Sequence, residues 1–104
     1  MNIIEKYEPP KEDIKLSLVY LAKPIYGGWV TFTVHLAKKF NYPLYKVTKR
    51  TEKKMRSFGY GIDYQNICID ELVKIPNLLV TAVDKHYWDI LPLLPKDTRI
   101  VIHD

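Results

Sequence analysis

The stretch that most restricts the fold of this chain runs from Leu16 to Phe40, with the sequence LSLVYLAKPIYGGWVTFTVHLAKKF. It begins with an apolar run of strand length that ends at Lys23, and a turn with two glycines follows. From Trp29 onward the apolar residues recur at helical spacing, so one face of a helix packs on a sheet and the other meets solvent. The stretch therefore predicts a buried strand, a glycine turn and an amphipathic helix.

The glycine turn is a candidate anion site. Gly27 and Gly28 allow close approach of the backbone, and they would leave the first N–H groups of the helix pointing at whatever lies above the end of the strand. A phosphate is the usual occupant of such a place. The pair fits neither G-x-G-x-x-G nor G-x-x-x-x-G-K-[ST], so it supports neither an ordinary dinucleotide fingerprint nor a Walker-type ATPase. The alternative is that the two glycines only make the turn.

Length and composition indicate one small globular domain. The chain has 104 residues, of which 47% are hydrophobic and 27% are charged. No apolar run approaches the about 20 residues of a membrane-spanning helix, and the N-terminus lacks the apolar segment of a secretory signal. We expect no membrane span and a location in the cytoplasm or, for a viral protein, in the cytoplasm of the host. The single Cys68 is expected to be a small buried hydrophobe.

The order of the predicted elements favours a parallel α/β sheet. Residues 1–13 are expected to form an N-terminal arm, and residues 14–104 a single Rossmann-like domain. Strands alternate with helices or long connections, which favours right-handed crossovers, a strand order of 3-2-1-4-5 and helices on both faces. The five predicted strands are residues 14–22, 44–48, 66–69, 77–83 and 99–102. Short helices are predicted at residues 70–75 and 85–91, and a shaped loop at residues 57–61.

Reactive side chains follow the predicted strands at their carboxyl ends. In a doubly wound sheet, ligands bind at this edge, where the winding reverses. Tyr26 follows the first strand, His86 the fourth, and His103 and Asp104 the fifth. The Asp104 carboxylate could take a proton from a sugar or base hydroxyl within hydrogen-bond reach, and an ordinary polar strand end is the alternative. The three histidines lack helical metal spacing, so we predict no metal site.

A basic segment occupies residues 46–56. It holds six Lys or Arg residues opposed only by Glu52, in a chain of net charge +4. Tyrosines and phenylalanines flank it, and nucleic acid or a sugar phosphate would favour this mixture of cations and aromatic faces. The alternative is an ordinary solvated surface. The candidate phosphate-binding cations are Lys46, Lys49, Arg50, Lys53 and Lys54.

The sequence also resembles a known group of enzymes. A strand followed by K-P-x-Y-G-G, a helix carrying H-L-A-K-K-F and a later strand reading R-I-V-I-H-D look like the N-terminal, acceptor-binding half of GT-B glycosyltransferases. The branch it is most similar to comprises phage enzymes that glucosylate modified cytosine in DNA. The resemblance covers residues 15–104. It implies half of a GT-B fold, no cofactor, a nucleotide sugar such as UDP-glucose as co-substrate, and DNA as a partner.

The resemblance implies roles for individual residues. Gly27 and Gly28 match the glycine turn that faces the phosphates of the donor, where Tyr26 and His86 would also lie. His103 and Asp104 match a His-Asp pair at the end of the fifth strand, with Asp104 as the general base.

A GT-B enzyme also needs a C-terminal donor domain, which this sequence lacks. We therefore expect a fragment of a longer two-domain enzyme that is inactive alone. The alternative is a small, non-enzymatic Rossmann or flavodoxin-like module that binds nucleic acid or protein through its basic segment.

Overall fold

The computed structural model describes residues 2–4, 16–22 and 28–101. The helices in this part of the chain are α1 (Gly28–Phe40), α2 (Ile69–Leu72) and a 3-10 helix (Lys85–Leu93). The strands are β1 (Asn2–Ile4), β2 (Ser17–Leu21), β3 (Leu44–Val47), β4 (Arg56–Gly59), β5 (Ile62–Ile67), β6 (Leu78–Val83) and β7 (Arg99–Val101). Seven strands make one sheet in the order β1-β7-β6-β2-β3-β5-β4.

The predicted α/β fold class is confirmed. The inner strands β5-β3-β2-β6-β7 are parallel and have the predicted order 3-2-1-4-5. The winding of the chain reverses at β2, which lies between β3 on one side and β6 on the other. Carboxyl ends of parallel strands meet at one edge of a sheet, and we call the edge formed by β2, β3 and β6 the carboxyl edge.

Two outer strands extend the predicted sheet. Residues 2–4, which the sequence assigns to the N-terminal arm, form β1 and pair with β7 in parallel. The expected loop at residues 57–61 is instead a hairpin, in which β4 pairs with β5 in antiparallel orientation. Its two-residue turn consists of Tyr60 and Gly61 with φ of 60° and 82°, the left-handed values that type I′ hairpin turns require.

The central strand is buried on both faces because helices cover both sides of the sheet. Leu18 and Tyr20 pack on the side of α1, while Val19 and Leu21 pack on the side of α2 and the 3-10 helix. A strand that is covered on both faces has apolar residues at successive positions, and this continuous apolar run makes β2 predictable from the sequence. We call the side covered by α1 the α1 face.

Helix α1 has the predicted amphipathic faces. The buried side includes Val30, Thr33, Leu36 and Ala37, whereas the opposite side is exposed.

The two short helices differ from the predicted ones. Helix α2 ends at Leu72, earlier than expected, and the helix after β6 is a 3-10 helix with Pro92 inside it. Proline has no N–H to donate and disfavours the α-helical ladder.

A β-bulge in β6 determines which side chains reach the α1 face. Val19 faces Val80, but the next residue of β2, Tyr20, faces Ala82. The extra residue is Thr81, whose buried hydroxyl lies 2.7 Å from the Thr33 hydroxyl of α1. Because a bulge shifts the alternation of a strand by one residue, Ala82 joins the α1-side core, and Asp84, two residues further on, follows on the same side.

Candidate functional site: the carboxyl edge and the basic loop

Three ionisable side chains come together at the carboxyl edge on the α1 face. Tyr20 of β2 is paired in register with Lys46 of β3, and the Lys46 Nζ lies 5.7 Å from the centroid of the Tyr20 ring. Asp84 follows β6 on the other side of β2, and its backbone N–H donates to the Leu21 carbonyl at 2.9 Å. We call Tyr20, Lys46 and Asp84 the edge cluster. It lies where the winding reverses, the usual ligand position in such sheets.

Burial controls the ionisation of the edge cluster. The pKa of Tyr20 rises to about 12, chiefly because burial penalises the phenolate, and electrostatic repulsion from Asp84 and a smaller contribution from Tyr60 add to the effect. Burial lowers the pKa of Lys46, and the nearby Asp84 partly opposes this. The charge of the Lys46 ammonium is therefore only partly balanced within the cluster. An anionic ligand beside it would replace the stabilisation of the charged form that burial removes.

Asp84 also organises the entry into the 3-10 helix. Its carboxylate caps the helix by accepting a hydrogen bond from the backbone N–H of His86 at 2.9 Å, and it lies 3.3 Å from the His86 Nδ1. The His86 side chain is about half exposed, at 49%. His86 is thus at the carboxyl edge, as the sequence predicts, with its ring oriented by a carboxylate.

The other residues predicted for this edge are only partly described. Gly28 is the first residue of α1, and no acidic residue occupies the first turn of that helix. The positive end of the helix dipole is therefore not neutralised from within the helix, which favours a bound anion. The predicted site residues Tyr26, Gly27, His103 and Asp104 lie outside the described residues, and their roles stay predictions.

The predicted phosphate-binding cations divide into two groups. Lys46 lies in β3 and belongs to the edge cluster, because the alternation of that strand turns it to the α1 face. The other four are exposed in residues 48–55, the connection from β3 to β4, which we call the basic loop. In the part of the chain that the structure describes, none of the four forms an ion pair with a carboxylate. They are Lys49, Arg50, Lys53 and Lys54.

The one acid of the basic loop, Glu52, is held by its neighbours. Its carboxylate accepts hydrogen bonds from the Nε and Nη2 of Arg56, both at 2.8 Å, and from the Asn66 side chain. The backbone of Glu52 donates to the Asn66 carbonyl at 3.0 Å and accepts from the Gln65 Nε2 at 2.8 Å. Hydrogen bonds from Arg56 and then Asn66 lower the pKa of Glu52 to about 2.

A second tether fixes the basic loop at Thr51. The Thr51 hydroxyl accepts from the backbone N–H of Cys68 at 3.0 Å, and it also contacts the Cys68 Sγ and the Glu71 carboxylate. Thr48 at the start of the loop donates to the Arg50 carbonyl at 2.7 Å. Cys68 is half-buried rather than fully buried as expected, because it faces this loop at the end of β5. The loop is thus attached to β5 through Thr48 and Glu52, and to Cys68 just after β5 through Thr51.

Sequence reasoning missed several of these contacts. The Glu52–Arg56 pair could have been noticed from its spacing of four residues. Tyr20 was hidden inside an apolar run, and its pairing with Lys46 depends on the register between two strands that are distant in sequence. A polar tip near the end of a buried strand is the signal that could have pointed to Tyr20.

A separate pocket lies away from the carboxyl edge. Its volume is about 380 Å³, and it is enclosed by the C-terminal end of α1 and the hairpin, including Asn41, Gly61 and Asp63. None of the predicted site residues is among those that line it. The edge cluster and the basic loop therefore remain the candidate site.

Comparisons of the chain with protein-family models, with curated proteins and with solved structures found no match. Among the described residues, no helix has the length and apolar character needed to cross a membrane. Nor do those residues bring together three His, Cys, Asp or Glu side chains that could hold a metal ion.

Proposed function

We propose that this chain is the acceptor-binding half of a nucleotide-sugar-dependent glycosyltransferase that glucosylates modified bases in DNA. The observation that supports this proposal is the combination of the edge cluster with an exposed basic loop on one α/β sheet. An incompletely compensated ammonium suits the phosphates of a nucleotide sugar, and a loop whose cations are exposed suits a nucleic-acid backbone. The resemblance to GT-B enzymes supports the same assignment.

In the proposed reaction, an acceptor hydroxyl attacks the anomeric carbon of the sugar. A bond forms between the hydroxyl oxygen and this carbon, and the bond from the carbon to the nucleoside diphosphate breaks. Asp104 takes the proton of the hydroxyl, while the departing diphosphate leaves with the bonding electrons near Gly27 and Gly28. Lys46 provides positive charge for the diphosphate, and His86 lies at the same edge.

The basic loop provides affinity for the acceptor in this proposal. Lys and Arg contacts to phosphates release counterions, so binding weakens steeply as salt rises, and they carry no base specificity. In this proposal the carboxyl edge recognises the modified base, and the basic loop holds the duplex.

A titration of labelled duplex DNA, followed by fluorescence anisotropy at several salt concentrations, tests the role of the loop. We expect Lys49→Glu with Lys53→Glu to reduce the slope of log affinity against log salt by about 2, since each lost phosphate contact removes about 0.9. The control is Lys74→Glu with Lys96→Glu, which changes the same charge at exposed positions outside the loop. Equal binding by both double variants would exclude the proposed role.

Sugar transfer tests the catalytic part of the proposal. In a chain that includes a donor-binding half, UDP-glucose should add glucose to duplex DNA that contains hydroxymethylcytosine, detected as a mass increase of the nucleoside. Asp104→Ala should abolish the transfer, because it removes the proposed base. Transfer at a near-normal rate by this variant would exclude Asp104 as the base.

A second candidate function is a non-enzymatic module that binds nucleic acid through the basic loop. The observation that favours it is that the loop that carries the four exposed cations is anchored to the sheet through the Glu52 carbonyl and to Cys68 through the Thr51 hydroxyl. Amide chemical shifts on addition of UDP-glucose distinguish the two functions. The glycosyltransferase predicts shifts near Leu21 and Asp84, whereas the module predicts none there.

A further inference from the structure

We infer that Glu52 is a positioning residue that fixes the shape of the basic loop for the phosphate backbone of duplex nucleic acid. The inference rests on the proposed binding of DNA by this loop, and it assigns a favourable role in polyanion binding to an acidic residue.

The tether at Glu52 connects the middle of the loop to β5 through both backbone and side chain. The N–H of Glu52 donates to the Asn66 carbonyl at 3.0 Å, and the Gln65 Nε2 donates to the Glu52 carbonyl at 2.8 Å. The carboxylate accepts from the Asn66 side chain as well. The flanking pairs of cations, residues 49–50 and 53–54, are therefore both attached to one fixed point on the sheet.

The placement of charge keeps the cations available. The Glu52 carboxylate is engaged by the guanidinium of Arg56 through two hydrogen bonds of 2.8 Å, the strong geometry for an arginine and a carboxylate. Among the described residues, the ion pair of Glu52 is with Arg56 and not with any lysine of the loop. The Glu52 carboxylate is thus held chiefly by Arg56, with a smaller electrostatic contribution from Lys54, while the side chains of the loop cations stay exposed.

The entropy of the loop gives the tether its effect on binding. Fixing the backbone of one residue costs about 1–2 kcal/mol, and a loop that is disordered before binding bears this cost when it binds. A loop already fixed by β5 avoids the cost, which is the general advantage of preorganisation. Affinity should consequently fall when the tether is removed, even though removal of an acid makes the loop more positive.

The chemistry of the loop favours nucleic acid over a protein partner. Protein interfaces need a buried apolar centre. The sequence of the loop, TKRTEKKM, has one apolar side chain, Met55, and otherwise consists of cations, hydroxyls and Glu52. Lys, Arg and Thr side chains are the usual partners of phosphate oxygens in protein–DNA complexes.

Affinity for a short labelled duplex, measured by anisotropy from low to raised salt, tests the inference with Glu52→Gln. We expect binding to be several-fold weaker, because the variant loses the charged pair with Arg56 and weakens the side-chain part of the tether, while the two backbone hydrogen bonds of residue 52 remain. The slope of log affinity against log salt should stay that of the wild type, since the same cations reach the same number of phosphates. The control, Asp97→Asn, removes an equal charge at an exposed position outside the loop and should bind as tightly as wild type or slightly more tightly.

A second variant tests the effect of the tether on DNA affinity without any change in net charge. Asn66→Ala removes a donor to Glu52 and leaves the net charge unchanged, so a purely electrostatic effect predicts wild-type binding. The inference predicts weakening of several-fold with an unchanged salt slope, in protein whose circular dichroism shows it to be folded. Binding by both variants that equals or exceeds that of the wild type would overturn the inference. Absence of duplex binding by the wild type would instead overturn the proposed function of the loop.

Discussion

The edge cluster and the basic loop each combine lysine with a carboxylate, but they hold their charges in opposite ways. In the cluster, packing of the central strands buries Tyr20 fully and Lys46 partly, and their pKa values shift chiefly because of burial. In the loop, hydrogen bonds fix the backbone while the cations stay in solvent. The structure of the edge cluster therefore depends on the hydrophobic core, whereas that of the basic loop depends on a few polar contacts. A mutation in one region should accordingly leave the other region intact.

The largest expected effect is loss of the core beneath the cluster. Tyr20→Ala removes a fully buried ring that packs edge-to-face on Phe58 at 5.2 Å between centroids, and we expect it to lower the free energy of unfolding by about 3–5 kcal/mol. Lys49→Ala in the loop should change it by no more than about 0.5 kcal/mol. Urea denaturation measures both values. Similar losses in the two variants would contradict the proposed contrast.

The next effect concerns the bulge that brings Asp84 to the cluster. Thr81→Val keeps the approximate shape of the side chain but removes the hydroxyl that lies 2.7 Å from the buried Thr33 hydroxyl, and we expect the free energy of unfolding to fall by about 1–3 kcal/mol. In the Thr81→Val background, Thr33→Val should lower the free energy of unfolding by less than it does in the wild type, because the two hydroxyls bond each other. A double-mutant cycle of thermal or urea unfolding measures this coupling. Strict additivity of the two substitutions would show that the hydroxyl pair does not stabilise the bulge.

A smaller effect should appear at alkaline pH and report on the cluster alone. Because the folded-state pKa of Tyr20 is raised from 10.0 to about 12, its contribution to stability is complete below pH 10.0 and is lost as the pH rises towards 12. Tyr20→Phe keeps the ring and deletes the ionising group, so the variant should not show the fall in the free energy of unfolding that ionisation of Tyr20 causes at alkaline pH. The measurement is the free energy of unfolding of both proteins across this range. Parallel curves would mean that the phenol ionises in the folded protein as readily as in the unfolded one.

The smallest effect should appear at acidic pH and report on the loop alone. The pKa of Glu52 is depressed from 4.5 to about 2, so its contribution to stability is present above pH 4.5 and is lost as the pH falls towards 2. Solvent weakens this contribution because the carboxylate is accessible. The difference in stability between the wild type and Glu52→Gln should accordingly narrow over this interval. A difference that is constant with pH would contradict the depressed pKa.

The sequence predicts the order of the inner strands because runs of strand length alternate with helices or long connections, and right-handed crossovers then determine the order. The third predicted strand, residues 66–69, is misplaced: β5 is Ile62–Ile67, whose partly exposed sequence IDYQNI is not an apolar run. It does not predict β1 or β4, whose sequences NII and RSFG are too short to show periodicity. The Tyr60 turn was read as a loop because its left-handed residue is a tyrosine rather than the Asn, Asp or Gly typical of type I′ turns.

The candidate site was less predictable than the fold. Composition identifies the exposed cations of the loop, because charge density is visible in the sequence. The separation of Lys46 from them depends on the alternation of β3, and the approach of Asp84 depends on the bulge at Thr81. Both are consequences of strand register, which cross-strand packing determines and a single sequence does not display.

The most direct test of the division between the two regions is an amide chemical-shift titration of the folded chain with duplex DNA. The account predicts that perturbed amides concentrate in residues 48–55 and at the β5 residues that hold them, Gln65 and Asn66, and that raised salt removes the changes. Perturbations centred instead on the pocket between α1 and the hairpin, or none at low salt, would contradict it.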